Sequence, residues 1–314
     1  MITLTEDQVR SRLDPTRVIF AIEAAFRDRY PSTLIPTRTH MNLTGGIFLI
    51  MPCYDRAGHT LGMKLVVVQE KPVRREDRIQ ATYMLLDYQT GRPKLIIPAN
   101  YLTDLRTAAT SAVATKFLAR EDAKTLGVFG TGRQARAHIQ ILPLVRRFKR
   151  VLVCGKDAGQ ARAFAQNMSA EVGLPVELAD ARTCAAESDV ICTCTTSSQT
   201  PLFDGNLLRP GTHLNLVGAF QPHAREVDST TIERARVVVD TYDGALAEAG
   251  DLLIPMQEGR IARSHIAADL HELVSGQNAA RTSADEITVF KSVGCALEDL
   301  VTAELVDNQS TTNT

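Results

Sequence analysis

No apolar run in this chain reaches the roughly 20 residues that a membrane-spanning helix needs, and the N-terminus has no signal-peptide pattern. Neither sign of charge dominates. The 35 Lys and Arg against 36 Asp and Glu leave a formal net charge of −1, which argues against nucleic acid or an anionic membrane as the main partner. Cysteine is sparse, and the six present form no disulfide framework. Cys192 and Cys194 lack a second pair to complete a metal site, so their C-x-C reads as small residues on a strand and no metal is expected. The expected compartment is reducing cytoplasm. There is no internal repeat and no low-complexity segment. What is present is an ordinary globular composition: 314 residues, enough for two domains, with 44% hydrophobic residues.

The most informative stretch is Thr125–Val145, TLGVFGTGRQARAHIQILPLV. A short apolar run, Leu126–Phe129, ends at Gly130-Thr131-Gly132, and an amphipathic helix pattern starts at Arg133 and Gln134. Ala135 takes the third place of G-x-G-x-x-G/A. Gly130 allows the tight turn, Gly132 lets a pyrophosphate approach the backbone, and Ala135 permits close helix–strand packing. The phosphates would then meet free N–H groups at a helix N-terminus. A second strand at Arg150–Cys154 completes the context for a dinucleotide site.

Upstream, Asp14-Pro15 starts a helix whose buried face is Val18, Ile19, Ile22, Ala25 and Phe26. Strand patterns follow over Arg38–Leu43, Ile47–Met51, Leu61–Gln69, Ile79–Asp87 and Lys94–Pro98. This predicts a mainly antiparallel sheet with one leading helix. A helix capped by Thr103 and running to about Ala119 comes next, rich in small residues. Arg106 falls in its first turns, where a cation opposes the helix dipole, and this points to an anion held there.

Beyond the glycine loop, strands and helices alternate. Strands are expected at Val176–Leu178, Ser188–Thr193, His213–Val217, Val237–Asp240 and Glu286–Phe290, and helices at Asp157–Ala170, Thr230–Arg234 and about Ser292–Leu305. A polar tail, Asn308–Thr314, is expected to be disordered. Parallel strands joined by crossover helices make a doubly wound α/β (Rossmann) domain, with its ligand crevice at the strand C-terminal ends. Where an NAD site usually places an acidic residue, this chain reads Cys154-Gly155-Lys156-Asp157. A glycine there leaves room for a 2′-phosphate that Lys156 can pair with, so NADP(H) is favoured slightly over NAD(H).

With these pieces placed, the chain resembles the ornithine cyclodeaminase/mu-crystallin family over nearly its whole length. The matching stretches are Pro36-Thr37-Arg38, Met51-Pro52, Gly62-Met63-Lys64, Leu102–Ala109, Gly130–Ala135, Arg225–Asp228, and Phe290–Gly294 with Glu298-Asp299. The resemblance implies a discontinuous substrate-binding and dimerisation domain of α+β type, residues 1–115 and 291–314, around a Rossmann dinucleotide-binding domain, residues 116–290, in a homodimer. It implies that Arg38, Lys64 and Arg106 hold a substrate α-carboxylate. It also implies that Arg106, Thr107, Thr195, Val217, Gly218 and Ser292 lie near the cofactor, and Val293 near the substrate.

One departure is informative. The cyclodeaminases carry an aspartate two residues after the glycine that matches Gly218; here that residue is Phe220, which can neither bind an amine nor move a proton. Asp228 reads as a helix-start carboxylate and no substitute. The reductase branch therefore fits best: an NAD(P)H-dependent enzyme reducing the C=N bond of a small α-imino acid, cyclic or open, an imine or ketimine reductase or, in reverse, an amino-acid dehydrogenase. Lys64 is the first candidate for the proton donor, His223 the second and water the third. A cyclodeaminase with bound NAD and a non-catalytic nucleotide-binding protein are the alternatives.

Overall fold

The computed structural model describes residues 1–196, 199–278 and 280–311. The chain divides into two compact units, Met1–Thr110 with Cys295–Thr314, and Ser111–Gly294.

In the first unit, β1 (Ile2–Thr3) leads to helices α1 (Glu6–Arg12) and α2 (Pro15–Ala24). Strands β2 (Thr33–Leu34), β3 (Thr39–Leu43), β4 (Gly46–Asp55), β5 (Thr60–Gln69), β6 (Ile79–Asp87) and β7 (Pro93–Pro98) follow. The sheet order is β1-β7-β6-β5-β4-β2, with β3 also paired to β4; all pairs are antiparallel except β1 with β7. Strict alternation buries Leu49, Met51 and Cys53 of β4, Ala81, Tyr83 and Leu85 of β6, and Leu95 and Ile97 of β7. The last helix of the chain packs against β4, β5, β6 and α2.

Asp14 caps α2 by accepting from the Arg17 N–H, with Pro15 in the first turn, as its sequence requires. Two leading helices are present where the sequence pattern predicts one. The first, α1, is a short helix with a Thr5/Gln8 capping box and a single buried residue, Val9, which is too little apolar signal for periodicity to register. Strand β4 continues past Met51 through Pro52. The proline is tolerated because it sits between the stretches of β4 paired to β3 and to β2, where no partner needs its N–H.

Helix α3 (Asn100–Leu118) begins three residues before Thr103. The Ala99 carbonyl accepts the first helical bond, from the Thr103 N–H, so Thr103 lies inside the helix and is not its cap. Arg106 consequently sits in the second turn, where the dipole argument for an anion loses force.

The second unit carries β8 (Thr125–Phe129), α4 (Arg133–Ile141), β9 (Arg150–Cys154), α5 (Ala158–Val172), β10 (Val176–Leu178), α6 (Ala181–Glu187), β11 (Val190–Thr193) and β12 (His213–Leu216). Then come α7 (Ser229–Glu233), β13 (Ala235–Val239), α8 (Tyr242–Glu248), α9 (Gly250–Gln257), β14 (Ile266–Asp269), α10 (Leu270–Val274) and β15 (Ile287–Lys291). The sheet is parallel throughout, in the order β10-β9-β8-β11-β12-β15-β13-β14. From β8 the chain winds one way through β9 and β10, then the other way through β11 and β12. This reversal makes the switch point beside β8, at the strand C-terminal ends, the fold's ligand crevice. β14 and helices α8–α10 go beyond the elements that sequence pattern predicts; each is eight residues or shorter and has no strong period of its own. The basic cluster after α4 has the helix-end role its composition suggests, though on α3: Arg146 donates to the carbonyls of Lys116 and Ala119.

The final helix, α11 (Ala296–Thr311), starts four residues later than expected because Ser292–Gly294 are drawn onto Asp240. It runs through Asn308, which corrects the expectation of a disordered tail from that residue; residues 312–314 lie outside the described residues. Among the described residues no helix is long and apolar enough to cross a membrane.

Two fully buried histidines belong to the second unit's interior. His138 contacts the Gln134 carbonyl and Ser111 Oγ, and burial pushes its pKa down to about 4. His213 contacts Thr288 Oγ1, and burial pushes it down to about 3. Because the unfolded chain binds these protons first, stability is expected to fall as pH drops from about 6.5 towards 4. Urea unfolding at pH 7 and pH 5 checks this, and His138→Gln should flatten the dependence.

Candidate active site

Lys64 lies in the middle of β5, in the row Met51–Lys64–Tyr83–Ile97 that faces the buried side of the sheet. A lysine in that row must find counter-charge, and α11 supplies it. Lys64 Nζ donates to Asp299 Oδ1 at 2.8 Å. Arg106 reaches the same oxygen through Nε at 2.9 Å and Glu298 Oε2 through a terminal nitrogen at 2.6 Å. Glu298 Oε1 turns back to accept the Cys295 N–H, so one acid both caps α11 and holds Arg106. Glu298 and Asp299 also stand in the first turn of α11, where the dipole favours negative charge.

Lys64 and Arg106 are only 1% and 5% exposed, so each is governed by its neighbours more than by water. Burial, then the charge of Arg106, lower the Lys64 pKa to about 8 against the opposing pull of Asp299 and Glu298. Burial works against the Arg106 charge too, but Asp299 and Glu298 outweigh it and raise its pKa.

Arg38 is half-buried in the extended segment just before β3. The strand it leads into pairs with β4, Thr39 with Ile50, next to Met51, the β4 partner of Lys64. The structure thus brings Lys64 and Arg106 onto one carboxylate and places Arg38 at the start of β3, two strands from β5. Thr107, next to Arg106, bonds back to the Thr103 carbonyl.

In the second unit, Gly130 has φ +122°, and an added Cβ would lie 2.6 Å from the Cys194 carbonyl oxygen. Its N–H is taken by the Cys154 carbonyl. Gly132 is the N-cap of α4, and an added Cβ would meet nothing within 4 Å. Nothing in the protein itself therefore requires glycine at 132, whereas close approach of a phosphate to the backbone does. Arg133 and Gln134 form the first turn of α4 beside it. The cradle fits a dinucleotide pyrophosphate.

At the end of β9 the structure corrects one step of the sequence reading. Gly155 does not leave an open space: a Cβ there would lie 2.9 Å from both Thr131 Cγ2 and the Ala161 Cβ. Asp157 caps α5 by accepting from the Gln160 N–H, so its carboxylate is engaged, while Lys156 is exposed.

Most of the other residues expected near a cofactor are tied to buried acids that sequence reasoning did not assign. Thr195 donates to Glu226 Oε1 through its N–H and its hydroxyl, and Gly218 donates its N–H to Glu226 Oε2. Val217 bonds to the Thr193 carbonyl. Ser292 Oγ and the N–H groups of Val293 and Gly294 all donate to Asp240 Oδ2. Ser197 and Ser198, expected in the same crevice, lie outside the described residues. Asp240, Glu298 and Asp299 are acids in mostly apolar or small-residue stretches, where a carboxylate must be buried and therefore partnered, whereas Glu226 stands among polar residues and gives no such signal.

His223 is exposed. Asp228 has the helix-start role its sequence suggests. It caps α7, accepting from the Thr231 and Gly205 N–H groups. Phe220 packs against the second unit's hydrophobic core. Among the described residues no cluster of His, Cys, Asp or Glu could hold a metal.

A family model described as the ornithine cyclodeaminase/mu-crystallin family matches residues 1–313. The chain is 38% identical over 310 residues to a Delta(1)-pyrroline-2-carboxylate reductase of Bacillus cereus, covering 97% of this chain and 95% of the relative. It is similar to the solved structure of Thermococcus litoralis Delta(1)-pyrroline-2-carboxylate reductase in complex with NADH and L-proline, with a TM-score of 0.95, 35% identity, and coverage of 100% and 98%. An archaeal alanine dehydrogenase dimer with bound NAD gives a TM-score of 0.92 at 27% identity, with coverage of 100% and 97%.

The two loop glycines are expected to respond differently to alanine. Gly132→Ala should leave the melting temperature nearly unchanged but weaken dinucleotide binding by roughly tenfold or more, since the new methyl occupies only the space kept for phosphate. Gly130→Ala should cost about 1–3 kcal/mol of stability from its backbone conformation, before the clash is counted. Thermal unfolding and cofactor titration of both variants check this.

Proposed function

From the premise that this chain belongs to the ornithine cyclodeaminase/mu-crystallin family, we propose that it is an oxidoreductase that reduces the C=N bond of small α-imino acids with NAD(P)H, a cyclic imino acid of the pyrroline-2-carboxylate class foremost. The observation that carries this is the pair of buried cations, Lys64 and Arg106, converging on one carboxylate oxygen of Asp299. Two buried cations arranged around a carboxylate suit a substrate whose constant part is an α-carboxylate, with Arg38 supplying further positive charge.

The first unit is the substrate-binding and dimerisation domain in this reading, and the second the dinucleotide-binding domain. Gly130, Gly132, Arg133 and Gln134 take the pyrophosphate. Thr195, Val217, Gly218 and Ser292 line the rest of the cofactor's path, with Arg106 and Thr107 also beside it, and Val293 meets the substrate. A nicotinamide dinucleotide held by these residues would supply the hydride for the imine carbon. Arg38 and Arg106 fix the carboxylate, which orients the C=N bond and supplies rate by proximity. Lys64 delivers the proton to the imine nitrogen, and Asp299 holds its Nζ in place while it does so. Water then restores the lysine's proton.

The exposed Lys156, and the capping bond that holds Asp157 Oδ1, support NADP(H) ahead of NAD(H). All six cysteines are free, which suits a reducing compartment, the cytoplasm. A partly buried Phe220, packed against the core, counts against ornithine cyclisation, whose second amine would need an acid at that place.

Spectrophotometry of NADPH and NADH against pyrroline-2-carboxylate tests the reading. Oxidation of either cofactor with formation of proline is expected. Proline made from ornithine with no net oxidation would instead identify a cyclodeaminase. Because the proton donor must be charged, the reductive rate should decline as pH rises through about 8, where Lys64 loses its proton. Lys64→Met should lower kcat by roughly 100-fold or more and remove that limb of the profile.

A further inference from the structure

Behind the ends of β11 and β12 lies a buried charge network that the reduction step does not use. Glu226 accepts four hydrogen bonds: Thr193 Oγ1 and the Gly218 N–H on Oε2, both at 2.7 Å, and the Thr195 N–H at 2.8 Å and hydroxyl at 2.7 Å on Oε1. Its own N–H and that of Val227 donate to Asp251 Oδ1, at 2.7 and 3.1 Å. Asp251 Oδ2 pairs with Lys291 Nζ at 3.0 Å, and Lys291 also donates to the Ala219 carbonyl at 2.6 Å. All three ionisable side chains are fully buried.

Each Glu226 oxygen faces a backbone N–H that cannot turn away, and Asp251 likewise receives two. Four donors on Glu226, two of them fixed backbone N–H groups, favour its carboxylate form against the burial and the Asp251 charge that raise its pKa. Two acids and one lysine give the network a formal charge of −1. It lies directly under the Thr195 and Gly218 loops. In a doubly wound sheet the glycine-loop half takes the first nucleotide, and this other half takes the second.

We propose that the Glu226–Asp251–Lys291 network is a positioning device that stabilises the oxidised cofactor over the reduced one, because the nicotinamide ring becomes positively charged when it gives up a hydride. The inference rests on the dinucleotide reading of the second unit. A charge that favours the product form of the cofactor favours the transition state on the way to it, and it acts through space without touching substrate. Glu226 thus serves two purposes: its hydrogen bonds fix the loops, and its charge biases the cofactor's redox state.

Direct titration of the full-length protein with NAD+ and NADH, and with NADP+ and NADPH, separates the two. In Glu226→Gln, the ratio of oxidised to reduced Kd should rise by on the order of three- to tenfold, the effect of removing one screened unit charge. Asp251→Asn removes the same charge from a different atom and should move the ratio in the same direction, which keeps the test informative if Glu226→Gln does not fold. An unchanged ratio, with both forms weakened equally, would overturn the charge role and leave Glu226 a loop tether. Wild-type protein that binds none of the four dinucleotides would overturn the dinucleotide reading itself.

Discussion

A carboxylate removed from water costs several kcal/mol unless donors surround it, and both units are arranged around carboxylates in that position. In the first unit Asp299 collects Lys64 and Arg106. In the second, Glu226 gathers the loops after β11 and β12, and Asp240 gathers the turn after β15. The loops that a ligand would meet are therefore held from below by charge-assisted hydrogen bonds, which are shorter and stronger than neutral ones. This is how irregular backbone at the strand ends can be fixed without a regular element of its own. The glycines complete the arrangement: at Gly218 a side chain would collide with Glu226 and the Thr195 carbonyl.

Sharing one oxygen of Asp299 between two cations has a chemical consequence for Lys64. Arg106 competes for the negative charge that would otherwise keep the lysine fully protonated, and burial removes the help of water. The result is an ammonium group poised to give up its proton near neutral pH. Burial is the larger cause of this lowering, and the charge of Arg106 adds to it. The fork of Arg106, with one nitrogen on Asp299 and another on Glu298, keeps the guanidinium from swinging away.

Much of this was legible in the sequence, for definite reasons. The glycine loop, β8, β9 and β10 were readable because short apolar strands and glycine chemistry leave strong local signals. Lys64 and Arg106 were identifiable as candidates through family motifs, and Asp14 and Asp228 through capping patterns. What local pattern could not convey was long-range pairing. Glu298 and Asp299 are separated from Arg106 by the whole second unit, and Asp251 from Lys291 by β14, so neither pairing has a sequence period to reveal it. The reading of Gly155 failed for a related reason. Glycine leaves space in principle, but which neighbour fills that space, here Thr131 and Ala161, is a property of packing.

The first unit is built from the two ends of the chain, and this bears on its synthesis. When residues 1–110 leave the ribosome, Lys64 is committed to the buried row of its sheet, but the carboxylates that neutralise it are still almost two hundred residues from being made. The second unit is continuous in sequence and can reach its final form while the first waits with unbalanced positive charge in its interior. Only when α11 emerges does Asp299 arrive to complete the sheet. Completion of the first unit thus waits on α11, and a chain without it cannot close around its own lysine.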